Sequence, residues 1–200
     1  MKKAALTLIS LTILSTTSLT ATAETKPMKA TVTVKNLFTL TPDKELSFGE
    51  IRANAELLTD GGKQASLTIP ADPDAASGVP TKDGTAVIQS ITAGSPATFS
   101  VSGTAPNSEL LISIPTSAEL INSAALPDNP KFVISDFEVL IEGGPNDRQI
   151  YDGSSKKLIA DNTGAVKFHV GATLKTDPAA KKSTYTDGEY TATVNVTVVY

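Results

Sequence analysis

From residue 30 onward, apolar and polar side chains alternate with a period of two, the pattern of strands whose successive side chains point to opposite faces of a sheet. Over residues 30–40, Ala30, Val32, Val34, Phe38 and Leu40 share one face, with Asn36 as the exception. Thr31, Thr33, Lys35, Leu37 and Thr39 share the other. Shorter strands are expected at 46–51, 65–69, 85–91, 98–102 and 110–114, the last with Leu110, Ile112 and Ile114 on one face and Pro115 as its stop. Residues 132–141 change phase midway: Phe132 and Ile134 are in step, whereas Phe137, Val139 and Ile141 are one residue out. One extra residue at Ser135-Asp136, a β-bulge, restores the inward face. In 166–174, Val166, Phe168, Val170, Ala172 and Leu174 are expected inward, and Lys167, His169, Gly171 and Thr173 outward. The last stretch is the cleanest, with Tyr190, Ala192, Val194, Val196, Val198 and Tyr200 on one face and Thr191, Thr193, Asn195 and Thr197 on the other.

Turn chemistry separates these runs: Asp60-Gly61-Gly62, Asp72-Pro73-Asp74, Asp83-Gly84, Gly143-Gly144-Pro145-Asn146, Asp152-Gly153 and Asp187-Gly188. Only 117–125 reads as a short helical turn, closed by Pro127. Many short strands with frequent turns predict an all-β fold, two antiparallel sheets packed as a sandwich.

The N-terminus changes the picture of where the chain works. Lys2 and Lys3 precede a largely apolar run over 4–14, and Ala21-Thr22-Ala23 supplies a small-x-small cleavage signature before Glu24. We expect residues 1–23 to be a cleaved export signal and 24–200 a single domain, in the periplasm, at the cell surface or outside the cell. The apolar run falls short of the roughly 20 residues a spanning helix needs, so no membrane span is expected after cleavage. The formal charge of −4, without a basic run, disfavours nucleic acid as a partner. With no cysteine, an exported chain must draw its stability from burial and sheet hydrogen bonds.

Candidate chemistry is sparse. The one histidine, His169, falls on the outward face beside Lys167, and no nucleophile-elbow motif surrounds any serine, so no enzyme is expected. Asp60-Gly61-Gly62-Lys63 has the wrong glycine spacing for a phosphate loop. Asp72, Asp74, Asp147, Asp152 and Asp161 lack calcium-loop spacing, and aspartate is also what turns favour for backbone reasons. No cofactor or metal is implied.

Several motifs together resemble a known family. Leu46-Ser47-Phe48-Gly49-Glu50-Ile51, Phe99-x-Val101-x-Gly103, Val170-Gly171-Ala172-x-Leu174, Gly188-x-Tyr190 and Val194-x-Val196-x-Val198-x-Tyr200 are similar, in order, to the bacterial domain-of-unknown-function family 4402. The resemblance implies an exported β-sandwich, immunoglobulin-like or pilin-like, and carries over no catalytic residue. The early Phe-Gly motif and terminal Tyr are shared with spore-coat-U-like pilins, many of which differ in having cysteines.

Two functions follow as expectations. The first is a structural or adhesive surface subunit, of a fimbria or biofilm matrix. Here Ala30, Val32, Val34, Phe38 and Leu40 would form an assembly strand inserted into another copy. Tyr190, Val194, Val196, Val198 and Tyr200 would form a C-terminal strand offered for pairing, as to a periplasmic chaperone. The same N-terminal strand read as internal would pair within its own sandwich. The second function is a periplasmic or secreted module binding a ligand or glycan through its end loops, which hold few aromatics besides Tyr151 and Tyr185.

Overall fold

The computed structural model describes residues 24–33 and 37–200. Residues 1–23, read above as an export signal, and Val34 of the expected assembly strand lie outside the described residues. The chain divides into two units, 1–34 and 35–200. In the first, residues 24–33 are exposed and belong to no strand. The predicted strand over 30–40 is therefore corrected: among the described residues of that stretch, pairing begins at Thr39.

The second unit is the expected all-β sandwich of antiparallel sheets. Its large sheet contains β1 (Thr39–Lys44), β3 (Ser66–Ile69), β6 (Ala97–Ser102), β8 (Ser117–Leu120), β9 (Phe132–Glu142) and β11 (Val166–Thr176). The order is β1-β6-β11-β9-β8, with β3 added to the far half of β11. Two small sheets form the opposing layer. One orders β10 (Leu158–Ile159), β7 (Glu109–Ser113) and β12 (Thr197–Val199); the other orders β2 (Ile51–Asn54), β5 (Ala86–Ser90) and β4 (Lys82–Asp83).

Each small sheet closes one half of the core. Beneath the first lie Val101, Leu110, Val139, Ile141, Leu158, Val166, Phe168, Val170 and Val198. Beneath the second lie Ala65, Leu67, Ala86, Ile88, Phe132, Ile134 and Leu174. Phe137 packs against both. β11 is the spine: it pairs along one edge with β9, and along the other with β6 over 166–170 and β3 over 172–175.

The bulge is present, one residue beyond the Ser135-Asp136 step at which the phase change places it. Gly171 faces Glu138 and Thr173 faces Ser135, so Asp136 and Phe137 together oppose Ala172. Asp136 takes a left-handed φ of 51°, which turns the strand and returns Phe137 to the core side.

Three further expectations are corrected. Residues 117–120 are strand, not helix, because Ser117 to Leu120 pair with Ser135 to Phe132 and bring Ala118 and Leu120 onto the core. The strand expected at 46–51 begins only at Ile51. Before it, Ser47 makes only a bridge to Ser95; Gly49 has a φ of 72°, and a Cβ there would lie 2.2 Å from the Thr92 carbonyl oxygen, so the chain turns between that bridge and the strand. The last strand is paired only over 197–199, with a bridge from Thr191 to Ile121 further back. No helix among the described residues is long and apolar enough to cross a membrane.

Candidate functional site

The expected assembly strand is split by the fold. Ala30 and Val32 are exposed, Val32 by 87% and its neighbour Met28 by 89%, whereas Phe38 and Leu40 are half-buried against the first core half. Leu40 faces Val101 in β6, so the β1 end of the segment is internal. β1 forms an edge of the large sheet, where Pro42 withholds no ladder donor from a second neighbour.

The expected C-terminal pairing strand is spent within its own domain. Tyr190 and Val194 pack on the second core half, Val196 and Val198 on the first. Tyr190 sits edge-on to Phe132 at 5.1 Å and 80°, and its hydroxyl donates to the Thr186 carbonyl at 3.0 Å. The Tyr200 ring lies 6.1 Å from Phe38, and its hydroxyl accepts the Ala105 N–H at 2.5 Å. The aromatic C-terminus thus latches onto Phe38, just before β1, and Ala105, with one free edge left on β12.

An apolar groove of about 690 Å³ opens between the layers. Ile112 and Ile114 from the β7 arm line one side, Phe137 and Val139 from β9 the other, and Ile150 and Tyr151 close the end. Asp152 builds that end: one carboxylate oxygen accepts the N–H groups of Ser154, Ser155 and Lys156, each at 2.8 Å, and the other accepts the Ser155 hydroxyl at 2.5 Å. The Ser155 hydroxyl, then these N–H groups, hold its carboxyl below the usual carboxylate range. This tight turn fixes the adjacent Tyr151, whose hydroxyl accepts the Ile112 N–H. Alternation identifies Ile112 and Ile114 as inward residues. What it does not carry is that this part of the interior stays open.

His169 is not in solvent, as alternation predicts, but 6% exposed. Its Nδ1 lies 3.0 Å from the Thr98 hydroxyl and its Nε2 2.8 Å from Glu142 Oε2. The two ring nitrogens thus make one hydrogen bond each, Nδ1 with the Thr98 hydroxyl and Nε2 with the Glu142 carboxyl group. Hydroxyl, imidazole and carboxylate come from β6, β11 and β9, the three central strands of the large sheet, and tie their outer face together. A smaller cleft beside them is lined by Pro73, Asp74, Asp147 and Arg148. Arg148 pairs with Asp72 at 3.0 Å and Asp74 at 3.3 Å, drawing that loop over the imidazole.

The remaining aspartates serve their own turns. Asp161 accepts from the Thr163 hydroxyl and N–H, each at 2.7 Å, and Asp147 from the Gly143 N–H at 2.7 Å. Tyr185, a loop aromatic in sequence, stacks on Phe132 at 4.1 Å and 8°. Its hydroxyl accepts the Asp177 N–H and donates to the Lys131 carbonyl, and burial pushes its pKa up. A buried carboxylate that alternation does not reveal is Glu56, 3% exposed, which accepts the Thr85 N–H at 2.6 Å. That N–H is the main cause holding its pKa down.

Comparison with known proteins finds one family model, described as Domain of unknown function (DUF4402), matching residues 38–200. No curated protein and no solved structure matches the chain. The match begins at Phe38, the first of the described residues packed on the sandwich core, and ends at Tyr200.

Proposed function

The chain belongs to the family described as Domain of unknown function (DUF4402), and on that premise we propose that it is a non-enzymatic, exported structural or adhesive subunit assembled by strand addition. The observation that carries this reading is the segment before β1. Residues 24–33 alternate Met28, Ala30 and Val32 with Lys29, Thr31 and Thr33, yet all are exposed and none is in a strand. An amphipathic strand sequence left in water gains by finding a sheet edge, where main-chain hydrogen bonds give affinity and alternate side chains give register. The export signature in the sequence over 1–23 supports assembly outside the cytoplasm, in the periplasm or at the surface.

The same observations bear on the other expected functions. Tyr185 and Tyr151, the loop aromatics a glycan site would use, are committed to Phe132 and Ile112. The Thr98–His169–Glu142 chain has the atom order of a hydrolytic relay, but Thr98 sits directly opposite His169 on a paired strand, which suits a cross-sheet tie.

The test uses mature protein recovered from the producing cells. Intact mass should place Glu24 first, and size-exclusion chromatography with negative-stain microscopy should show ladders or filaments. Deleting 24–37, which stops short of Phe38, should leave a folded monomer. A mature form retaining Lys2 and Lys3, or a full-length protein that stays monomeric at high concentration, would sink the proposal.

A further inference from the structure

The groove between the layers is bordered by two backbone edges that stop short of pairing. On one edge β7 pairs with β12 over 111–113; on the other it meets β10 only at Glu109 and Leu110. Beyond Leu110, the second edge meets the Tyr151 hydroxyl at Ile112, and Ile114, Pro115 and Thr116 belong to no strand. On β9, the edge away from β11 is paired with β8 up to Ser135. It is taken up again at Val139, whose carbonyl accepts the Tyr151 N–H. Residues 136–138 lie between these two partners. Two interrupted edges therefore flank one apolar trough, and an extended segment laid in it adds hydrogen bonds and covers half-buried side chains together.

Resting on the strand-addition reading above, we infer that the occupant is residues 28–33 of a second copy of this chain. Six residues at ~3.3 Å each reach about 20 Å, an ordinary strand length. Met28, Ala30 and Val32 enter the groove against Ile112, Ile114 and Phe137, and Thr31 and Thr33 stay in water. Charge favours the match. Residues 24–33 carry Lys26 and Lys29 against Glu24, and Lys26 already pairs with Glu24 at 3.1 Å. Residues 38–200 carry twelve basic and twenty acidic side chains. At the groove, Asp136 is held by Lys175, whereas Glu138 is exposed and makes no ion pair among the described residues. Glu138 is the partner for Lys29.

Because the chain has no cysteine, single-cysteine variants of the full protein test this directly. Val32→Cys mixed with Ile114→Cys, and separately with Glu138→Cys on the exposed rim, should give a disulfide-linked dimer on a non-reducing gel. Val32→Cys mixed with Lys167→Cys, on the outer face of the large sheet, should not. Each chain then holds one cysteine, so a linked pair joins two copies. Glu138→Lys should weaken self-association several-fold at low salt, and Lys29→Glu in the same chain should restore it. Equal cross-linking to all three positions, or assembly that depends on 24–37 without linkage at Ile114 or Glu138, overturns the groove as acceptor while the strand-addition function stands. Absence of any assembly removes both.

Discussion

The Tyr151 hydroxyl stands 2.9 Å from the Ile112 backbone nitrogen and accepts its hydrogen, a side chain standing in where a neighbouring strand would. Its consequence is measurable. Tyr151→Phe keeps the ring and leaves that N–H unpaired, and should cost about 1–2 kcal/mol. Urea unfolding compared with the parent protein reads the loss; an unchanged midpoint at an unchanged slope contradicts the role given to this hydroxyl.

His169 joins three strands, so removing it should matter. His169→Ala strips both hydrogen bonds from a buried position and should destabilise by about 1–3 kcal/mol. Lys167→Ala, exposed on the same strand, should change stability by less than about 0.5 kcal/mol. A double-mutant cycle with Thr98→Val should show coupling between Thr98 and His169. Equal melts for the histidine and lysine variants would return His169 to the solvent.

The last strand has one buried and one wet face, and the register is testable one residue apart. Val198 is 8% exposed, and Val198→Asp buries an unpaired charge at a cost of several kcal/mol. Thr197→Asp, on the exposed face, should cost little. Indistinguishable thermal melts would mean the two side chains share an environment.

Gly171 sits where β3 leaves the edge of β11. A Cβ there would come within 2.4 Å of the Ile69 carbonyl oxygen and the Ala71 nitrogen, both backbone atoms that cannot swing aside. Gly171→Ala should cost at least about 1–3 kcal/mol through forced displacement of that crossing. Gly143→Ala serves as the contrast, since space there is open and only its positive φ opposes a side chain. A Gly171→Ala protein as stable as the parent would exclude so close a crossing.

Acid should weaken the domain through carboxylates that accept hydrogen bonds from their own loops. Asp152, Asp161 and Glu56 all have pKa values held below the ordinary range, through Ser155, Thr163 and Thr85 respectively. A lowered folded pKa gives stability that is complete above the unfolded value near about 4 and is lost as pH falls through the folded value. Stability should therefore drop below about pH 4. Asp152→Asn should be less stable at neutral pH and show a shallower acid decline. A decline of unaltered steepness in that variant, followed by urea midpoints across a pH series, would remove Asp152 from the account.

How far the sequence reached is clearest at β9 and β11. In β9 the phase change alone placed a bulge at Ser135-Asp136, within one residue of the Asp136-Phe137 pair that opposes Ala172, because a period-two pattern that slips by one residue has few other solutions. Alternation and turn residues likewise determined the all-β class, the inward sets of Leu110, Ile112 and Ile114 and of Val194, Val196 and Val198, and the motif order that marks the family. These are local properties, set by where a side chain points along an extended backbone. Alternation divides residues between two faces without stating what covers each face. On β11, His169 and Gly171 share the nominally outer face with Lys167, yet both are buried and Lys167 is not. The difference is the loop after Ile69, drawn across by Arg148 and its pairs with Asp72 and Asp74. The helix-forming composition of Ser117-Ala118-Glu119-Leu120 likewise gave way to pairing with β9, since an edge strand gains a ladder and two core contacts that an isolated turn does not. Tertiary structure also separated Val32 from Leu40, which one alternation had joined: one lies in water and the other on the core. It left the trough between Ile114 and Phe137 open, because β7 ends at Ser113 and the facing edge of β9 has no strand partner between Ser135 and Val139.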